Sequence, residues 1–352
     1  MKKIAIFPYN METQVIIDNR ELIQGYEIIG IISYKEDFQK MEQLNKNSEL
    51  YYGIDVNDLI QQIDGILLCD SVQGFDMKGY VNQINALENT NKTIFMSSIL
   101  YEKIGLDNLK NCVVNLLNVE WKYEEYNSEF IFEIDAPIVS VVGMGENCDK
   151  LPLQIALVKH LKNKGYNVLC ICSNPIGTIL GYQSFPPFMY SRKLSLNEKI
   201  IRFNHMLFDL VTNLEPDILI LGYPSGIMKL NQYQNNFFGE IPYILSNSIT
   251  NDYGIMLTYF DSGITEEYLQ SLTLLCKMRL NIELDSFCIA RQGYHNDSEF
   301  QRINYKFWDY NYLKNHYPKQ IEGSTFSLLN HDDPDKIVTK IITKLSENLE
   351  IV

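Results

Sequence analysis

The residues with the most chemical meaning lie between Ile138 and Leu151. An apolar, β-branched run, Ile138-Val139-Ser140-Val141-Val142, enters the loop Gly143-Met144-Gly145-Glu146-Asn147-Cys148-Asp149-Lys150, and helix-forming residues follow at once. A glycine loop with a lysine opening a helix is the arrangement that holds nucleotide phosphates. Backbone N–H groups approach the phosphates, the lysine neutralises the β- and γ-phosphates, and a hydroxyl after the lysine holds Mg²⁺. Gly143, Gly145, Asn147 and Lys150 fit the first two parts and are the candidate phosphate-binding residues. Two positions break the pattern: Asp149 stands where the motif wants glycine, and Leu151 where it wants Ser or Thr. Like unit charges ~4 Å apart repel by about 4 kcal/mol at an effective dielectric of about 20. A carboxylate in the loop therefore removes most of the affinity for a polyphosphate unless Lys150 pairs with it. Leu151 cannot ligate magnesium.

The second metal-holding group of such sites is an acid at the end of an apolar strand. The strand best suited, Ile218 to Leu221, runs into Gly222-Tyr223-Pro224-Ser225-Gly226, with no Asp or Glu. Glycines four apart after a strand can bring backbone donors and the Ser225 hydroxyl to a ligand at the carboxyl edge of a sheet. The same spacing also makes an ordinary strand-to-helix turn. Ser225 and Gly226 join the candidate binding set on that basis. No catalytic residue is assigned, no metal site is proposed from the five histidines, and no resident cofactor is expected beyond a weakly held nucleotide. Cys170 and Cys172, two apart on one strand face, read as buried apolar residues. Cys148 lies in the loop near a helix N-terminus, a setting that lowers a thiol pKa. The aromatic stretch Phe185-Pro186-Pro187-Phe188-Met189-Tyr190 fits either a binding surface or a loop folded over the sheet. Asp70-Ser71, after another strand, reads as a turn or helix cap.

These residues need elements to hold them. Residues 1–105 alternate strand signals (Lys3–Phe7, Ile28–Ile32, Gly65–Cys69, Thr93–Met96) with helix signals (Glu12–Ile23, Val56–Ile63, Gly79–Leu87). Continuous apolar strands between helices specify a parallel sheet covered on both faces. This first domain reads as Rossmann-like α/β, although the loop after its first strand, Pro8-Tyr9-Asn10-Met11, lacks the dinucleotide-binding glycines. Residues 106–136 read as a junction with strands at Cys112–Leu117 and Phe130–Ile134. Residues 137–352 restart the alternation as a P-loop NTPase-like α/β domain with a degenerate phosphate loop. Ser195 with Glu198 forms a capping box, Tyr243–Leu245 and Ile255–Tyr259 read as strands, and 292–331 reads as irregular. Asp333 and Pro334 open a last helix with Ile337, Ile341 and Leu345 on one face.

The chain has 352 residues, a net charge of −14 and a pI of about 4.9. That balance argues against nucleic acid or an anionic membrane as partner. No apolar run reaches the ~20 residues of a membrane span. Seven scattered cysteines suit reduced thiols in a cytoplasmic protein.

The chain resembles the peptide maturation system proteins of clostridial-type bacteria, which are encoded beside small bacteriocin-like precursor peptides and radical-SAM maturases. The resemblance rests on KKIAIFPYN, IDGILLCDS, IVSVVGMGENCDKLPLQIALVKHLKNKGYNVL, GYQSFPPFM and PDILILGYPSGIMKLN, and extends to about residue 290. More distantly, the chain is similar to two-domain proteins in which a P-loop domain follows an α/β domain. The resemblance implies a place in natural product biosynthesis, with the precursor peptide or the maturase as partner, and assigns no catalytic residue. Two expectations follow. The first is an accessory or scaffold protein that has lost nucleotide hydrolysis. The alternative is an ATP- or GTP-dependent enzyme using Lys150 in a non-standard way.

Overall fold

The computed structural model describes residues 1–38, 41, 49–70, 75–118, 121, 130–261, 263–299, 301–308, 310–316, 325–327 and 333–349. The chain forms two compact units, Met1–Glu120 with Pro175–Tyr190, and Trp121–Asn174 with Ser191–Val352. Each is an α/β unit built on a parallel sheet flanked by helices. Ser71 and His331 lie outside the described residues.

In the first unit the strands are β1 (Lys2–Phe7), β2 (Tyr26–Ile32), β3 (Tyr51–Gly53), β4 (Gly65–Leu68), β5 (Thr93–Met96) and β6 (Val113–Leu116), all paired in parallel in the order β3-β2-β1-β4-β5-β6. The sheet binds apolar residues on both faces, as the unbroken runs require. Phe7, Ile32, Ile66 and Leu68 pack with Tyr80, Ile84, Leu87 and Leu100 on one face, while Ile31 joins Tyr9, Ile17 and Met41 in a separate cluster. Its helices are α1 (Met11–Asp18), α2 (Met77–Leu87) and α3 (Ser98–Ile104). Asn10 and Thr13 cap α1 reciprocally. The helix expected over 12–23 ends at Asp18, where the Asn19 amide bonds the Val15 carbonyl (2.8 Å) and competes with the next turn. Residues Val56–Leu59 form only a 3-10 turn. β6 is the outer strand of this sheet and carries the stretch read as the start of the junction.

Pro175–Tyr190 packs as part of this first unit. Phe185 is fully buried and its carbonyl accepts from the Asn118 amide at 2.9 Å. The Ser184 hydroxyl donates to the Leu117 carbonyl at 3.0 Å, and Gln24 N–H to the Ile179 carbonyl at 3.2 Å. The aromatic, proline-rich stretch is therefore packed rather than presented, the second of the two roles its composition allows.

The second unit contains β7 (Ile138–Gly143), α4 (Lys150–Asn163), β8 (Val168–Ile171), α5 (Leu196–Leu214), β9 (Ile218–Gly222), α6 (Glu240–Ser248), β10 (Tyr253–Thr258), α7 (Glu266–Leu280) and β11 (Leu284–Ile289). There follow β12 (Gln292–Asp297), β13 (Arg302–Phe307), α8 (Tyr310–His316), β14 (Thr325–Ser327) and α9 (Asp333–Leu349). The sheet order is β14-β11-β10-β7-β9-β8, all parallel, with β12 and β13 paired apart as an antiparallel hairpin. Two expectations are corrected. Tyr243–Leu245 lies in α6, because Ile241, Ile244, Leu245 and Ser248 are buried at helical spacing with Pro242 in the first turn. The stretch 292–331 contains regular elements. Phe130–Ile134, expected as a strand, has no regular secondary structure and joins no ladder among the described residues.

Candidate functional site

β7 is a central strand between β9 and β10, its side chains are buried on both faces, and its loop emerges at the carboxyl edge of the sheet. That loop turns directly into α4. Asn147 and Asp149 both adopt left-handed backbone (φ +51° and +53°), on either side of Cys148. Alternation of this kind turns successive N–H groups to one side, the shape of a phosphate-binding nest. Asp149 thus takes the conformation a glycine would take; Asx residues tolerate it better than most.

The six candidate residues converge. Lys150 is buried, and its ammonium donates to the Gly145 carbonyl and, at 2.7 Å, to the Ser225 carbonyl. Its stem runs past Gly143, where a Cβ would lie 3.2 Å from Lys150 Cδ. Gly226 backs onto the loop so closely that a Cβ there would lie 2.8 Å from Gly145 Cα and press on the Met144 carbonyl. The Asn147 side chain lies near the Tyr305 hydroxyl and opposes the rise in its pKa that burial causes. Ser225 is itself left-handed (φ +61°), and its hydroxyl is buried without a partner. The Thr258 hydroxyl, from the end of β10, and the Gln292 side-chain oxygen, from the start of β12, are buried and unpartnered as well.

Asp149 does not pair with Lys150. Its carboxylate accepts from Arg291 N–H at 2.7 Å and from the Gln292 amide at 2.9 Å, with Arg291 Nε at 3.4 Å. The charge expected to repel a phosphate is thus held by partners where the chain passes from β11 into β12. Cys148 departs from its sequence reading too. It is buried, its thiol donates to the Leu257 carbonyl at 3.3 Å, and burial pushes its pKa up to about 12, with the Lys150 charge opposing. A helix N-terminus does not activate a thiol that water cannot reach.

Several residues of the site carry no local sequence signal. Asn236 donates to the Met144 and Met228 carbonyls at 3.0 and 2.8 Å. The Tyr259 hydroxyl donates to the Glu146 carbonyl, and its ring packs edge-on to Tyr294 at 5.0 Å. Tyr268 reaches Met144 Sδ at 3.6 Å. Asn236 comes from the turn before α6, Tyr259 follows β10, Tyr268 is in α7 and Tyr294 in β12; of these, only Tyr294 falls in the tyrosine-rich stretch 292–331. Leu151, buried, offers no side-chain oxygen after Lys150, and β9 ends at Gly222 with buried Tyr223, not an acid, next in the chain.

In the first unit, Asn10 and Asp70 meet where the strand order reverses between β1 and β4. The Asn10 amide donates to the Asp70 carbonyl at 3.1 Å, and the Ser97 hydroxyl to Asp70 Oδ2 at 3.0 Å. Burial raises the Asp70 pKa against the opposing charge of Lys103. Asp70 caps neither α2 nor α3, which Asp76 and Ser97 cap.

No family model matches the chain, and no curated protein matches it. In fold it is similar to a DUF1611 family protein from Anabaena variabilis, known from a crystal structure. The TM-score is 0.66 at 9% sequence identity, over 97% of this chain and 100% of that one. At that identity the likeness is one of fold alone. It supports the two-unit α/β architecture and assigns no activity.

Proposed function

We propose that the second unit is a P-loop-like fold that has ceased to process nucleotide, and that the protein serves as an accessory or scaffold in the maturation of a ribosomally made, bacteriocin-like peptide. The observation that carries the first part is the placement of Lys150. Its ammonium is buried and two of its three N–H donors are given to carbonyl oxygens, which leaves at most one for a triphosphate. The strand order around β7 and the left-handed loop support descent from a phosphate-binding fold. Leu151 and the acid-free end of β9 support the loss of the metal-dependent step. The peptide-maturation role rests on the sequence resemblance, with the precursor peptide or the radical-SAM maturase as partner.

Equilibrium dialysis with Mg-ATP and Mg-GTP tests the reading. No saturable binding is expected up to about 1 mM. Saturable binding that Lys150→Ala abolishes would overturn it and favour a nucleotide-dependent enzyme. Retention of the neighbouring precursor peptide on the immobilised protein tests the partner.

A further inference from the structure

The second unit has an unused edge on the side of the sheet opposite the phosphate-like loop. Phe130–Ile134 runs beside α5 outside any regular element, and from Ile131 its residues alternate between exposed and partly buried, the period of a strand. One side of this strand is taken. The Asn204 side chain accepts from Phe132 N–H at 2.7 Å and donates to the Phe132 carbonyl at 2.9 Å, in the manner of a ladder partner. The Phe132 ring stacks on Phe208 at 4.5 Å. In an extended chain the backbone groups of the neighbouring residues point the other way. Among the described residues nothing hydrogen-bonds the N–H or C=O of Ile131 or Glu133. Both side chains are exposed, and Phe130 beside them is 76% exposed.

A cavity of about 300 Å³ adjoins this free edge. Ile131, Ile134 and Ile249 supply apolar wall, and Glu133, Thr250 and Asp252 supply polar groups. No lysine, arginine or histidine lines it among the described residues. Asp252 uses Oδ2 to accept from Ile138 N–H at 2.8 Å, and burial raises its pKa. Between Thr250 and Asp252, both amide atoms of Asn251 are buried without a partner. A pocket with apolar walls and two carboxylates complements a cation on an aliphatic stem.

We infer that this edge docks an extended peptide, which adds as a strand along Ile131–Glu133 and places a lysine or arginine side chain in the cavity against Glu133 and Asp252. Main-chain bonds give such a complex its affinity and the pocket gives its specificity. The inference rests on the proposed role only in taking a peptide as partner. The dialysis above probes the other sheet edge, so the two can fail separately.

The test uses the full chain and two capped peptides of alternating threonine and valine, one with a central arginine and one with norleucine in its place. Titration calorimetry should show the arginine peptide binding at least about tenfold tighter. Glu133→Gln with Asp252→Asn should remove that preference while leaving the norleucine peptide unaffected. Glu133→Gln alone, at an exposed position, should already narrow it if the double variant folds poorly. Ile131→Pro, which deletes the free N–H, should weaken both peptides. Agmatine, a guanidinium without a peptide backbone, should bind at least about tenfold more weakly than the arginine peptide. Equal affinity for the two peptides, a preference that survives Glu133→Gln/Asp252→Asn, agmatine binding as tight as the peptide, or no binding at about 1 mM would each overturn the inference.

Discussion

Cys148 sits between two left-handed residues and two positions before Lys150, yet its chemistry is set by burial. The thiol belongs inside only while it is neutral. Its folded pKa, about 12, lies above the ordinary 9.0, so its contribution to stability is complete below pH 9 and is lost as the pH rises from 9 through 12. One pKa unit corresponds to about 1.4 kcal/mol, so roughly 2–3 kcal/mol from this group is gone by about pH 11. Urea unfolding of the native chain and of Cys148→Ala at about pH 8 and pH 11 measures it. The native chain should lose more stability over that interval than the variant, by about this amount. Equal losses would mean that the thiol is wet in the folded state. Asp149 teaches the complementary lesson. Read along the chain it is a charge misplaced in a phosphate loop; in space it is an anchor to Arg291 and Gln292, about 140 residues away.

At the scale of elements, the strand–loop–helix of β7 and α4 holds its shape through contacts with the turn after β9. Gly226 is the position where this is tightest, because any Cβ would meet Met144 and Gly145 backbone atoms that cannot swing aside as a side chain can. Gly226→Ala should therefore destabilise the protein by about 1–3 kcal/mol, the usual cost of overpacking a close contact. Chemical denaturation checks it, and a loss under about 0.5 kcal/mol would show that the turn and the loop are free to part. The same elements mark what sequence could and could not reveal. β1, β4, β7 and β9 were legible because unbroken apolar runs admit little besides a covered parallel sheet. The convergence of Gly143, Gly145 and Lys150 was legible because those residues are neighbours in the chain. Tyr243–Leu245 was not, since a short apolar run in a buried helix carries no period that separates it from a strand. Tyr259, Tyr305 and Asn236 were not, since what assembles them is sheet order rather than spacing.

For the whole molecule, the telling segment is Pro175–Tyr190, which leaves the second unit after β8, packs within the first, and returns before α5. Sequence order hides this, because the segment lies well beyond the stretch that reads as the junction. It supplies the first unit with Phe185, a fully buried aromatic, and with carbonyl and hydroxyl partners for Leu117, Asn118 and Gln24. Deleting a buried phenylalanine ring costs about 3–5 kcal/mol, and the loss falls on the cooperative unit that contains the ring. Phe185→Ala should therefore accelerate amide hydrogen exchange in β1, β4 and β5. Exchange in β7, β9 and β10 should stay near its native rate, although residue 185 lies between β8 and β9 in the chain. Mass-resolved exchange on the full chain reads both sheets at once. Faster exchange confined to β7, β9 and β10 would show that the segment stabilises the unit it is threaded through rather than the one it packs in. Equal acceleration in all six strands would show that the two units unfold as one.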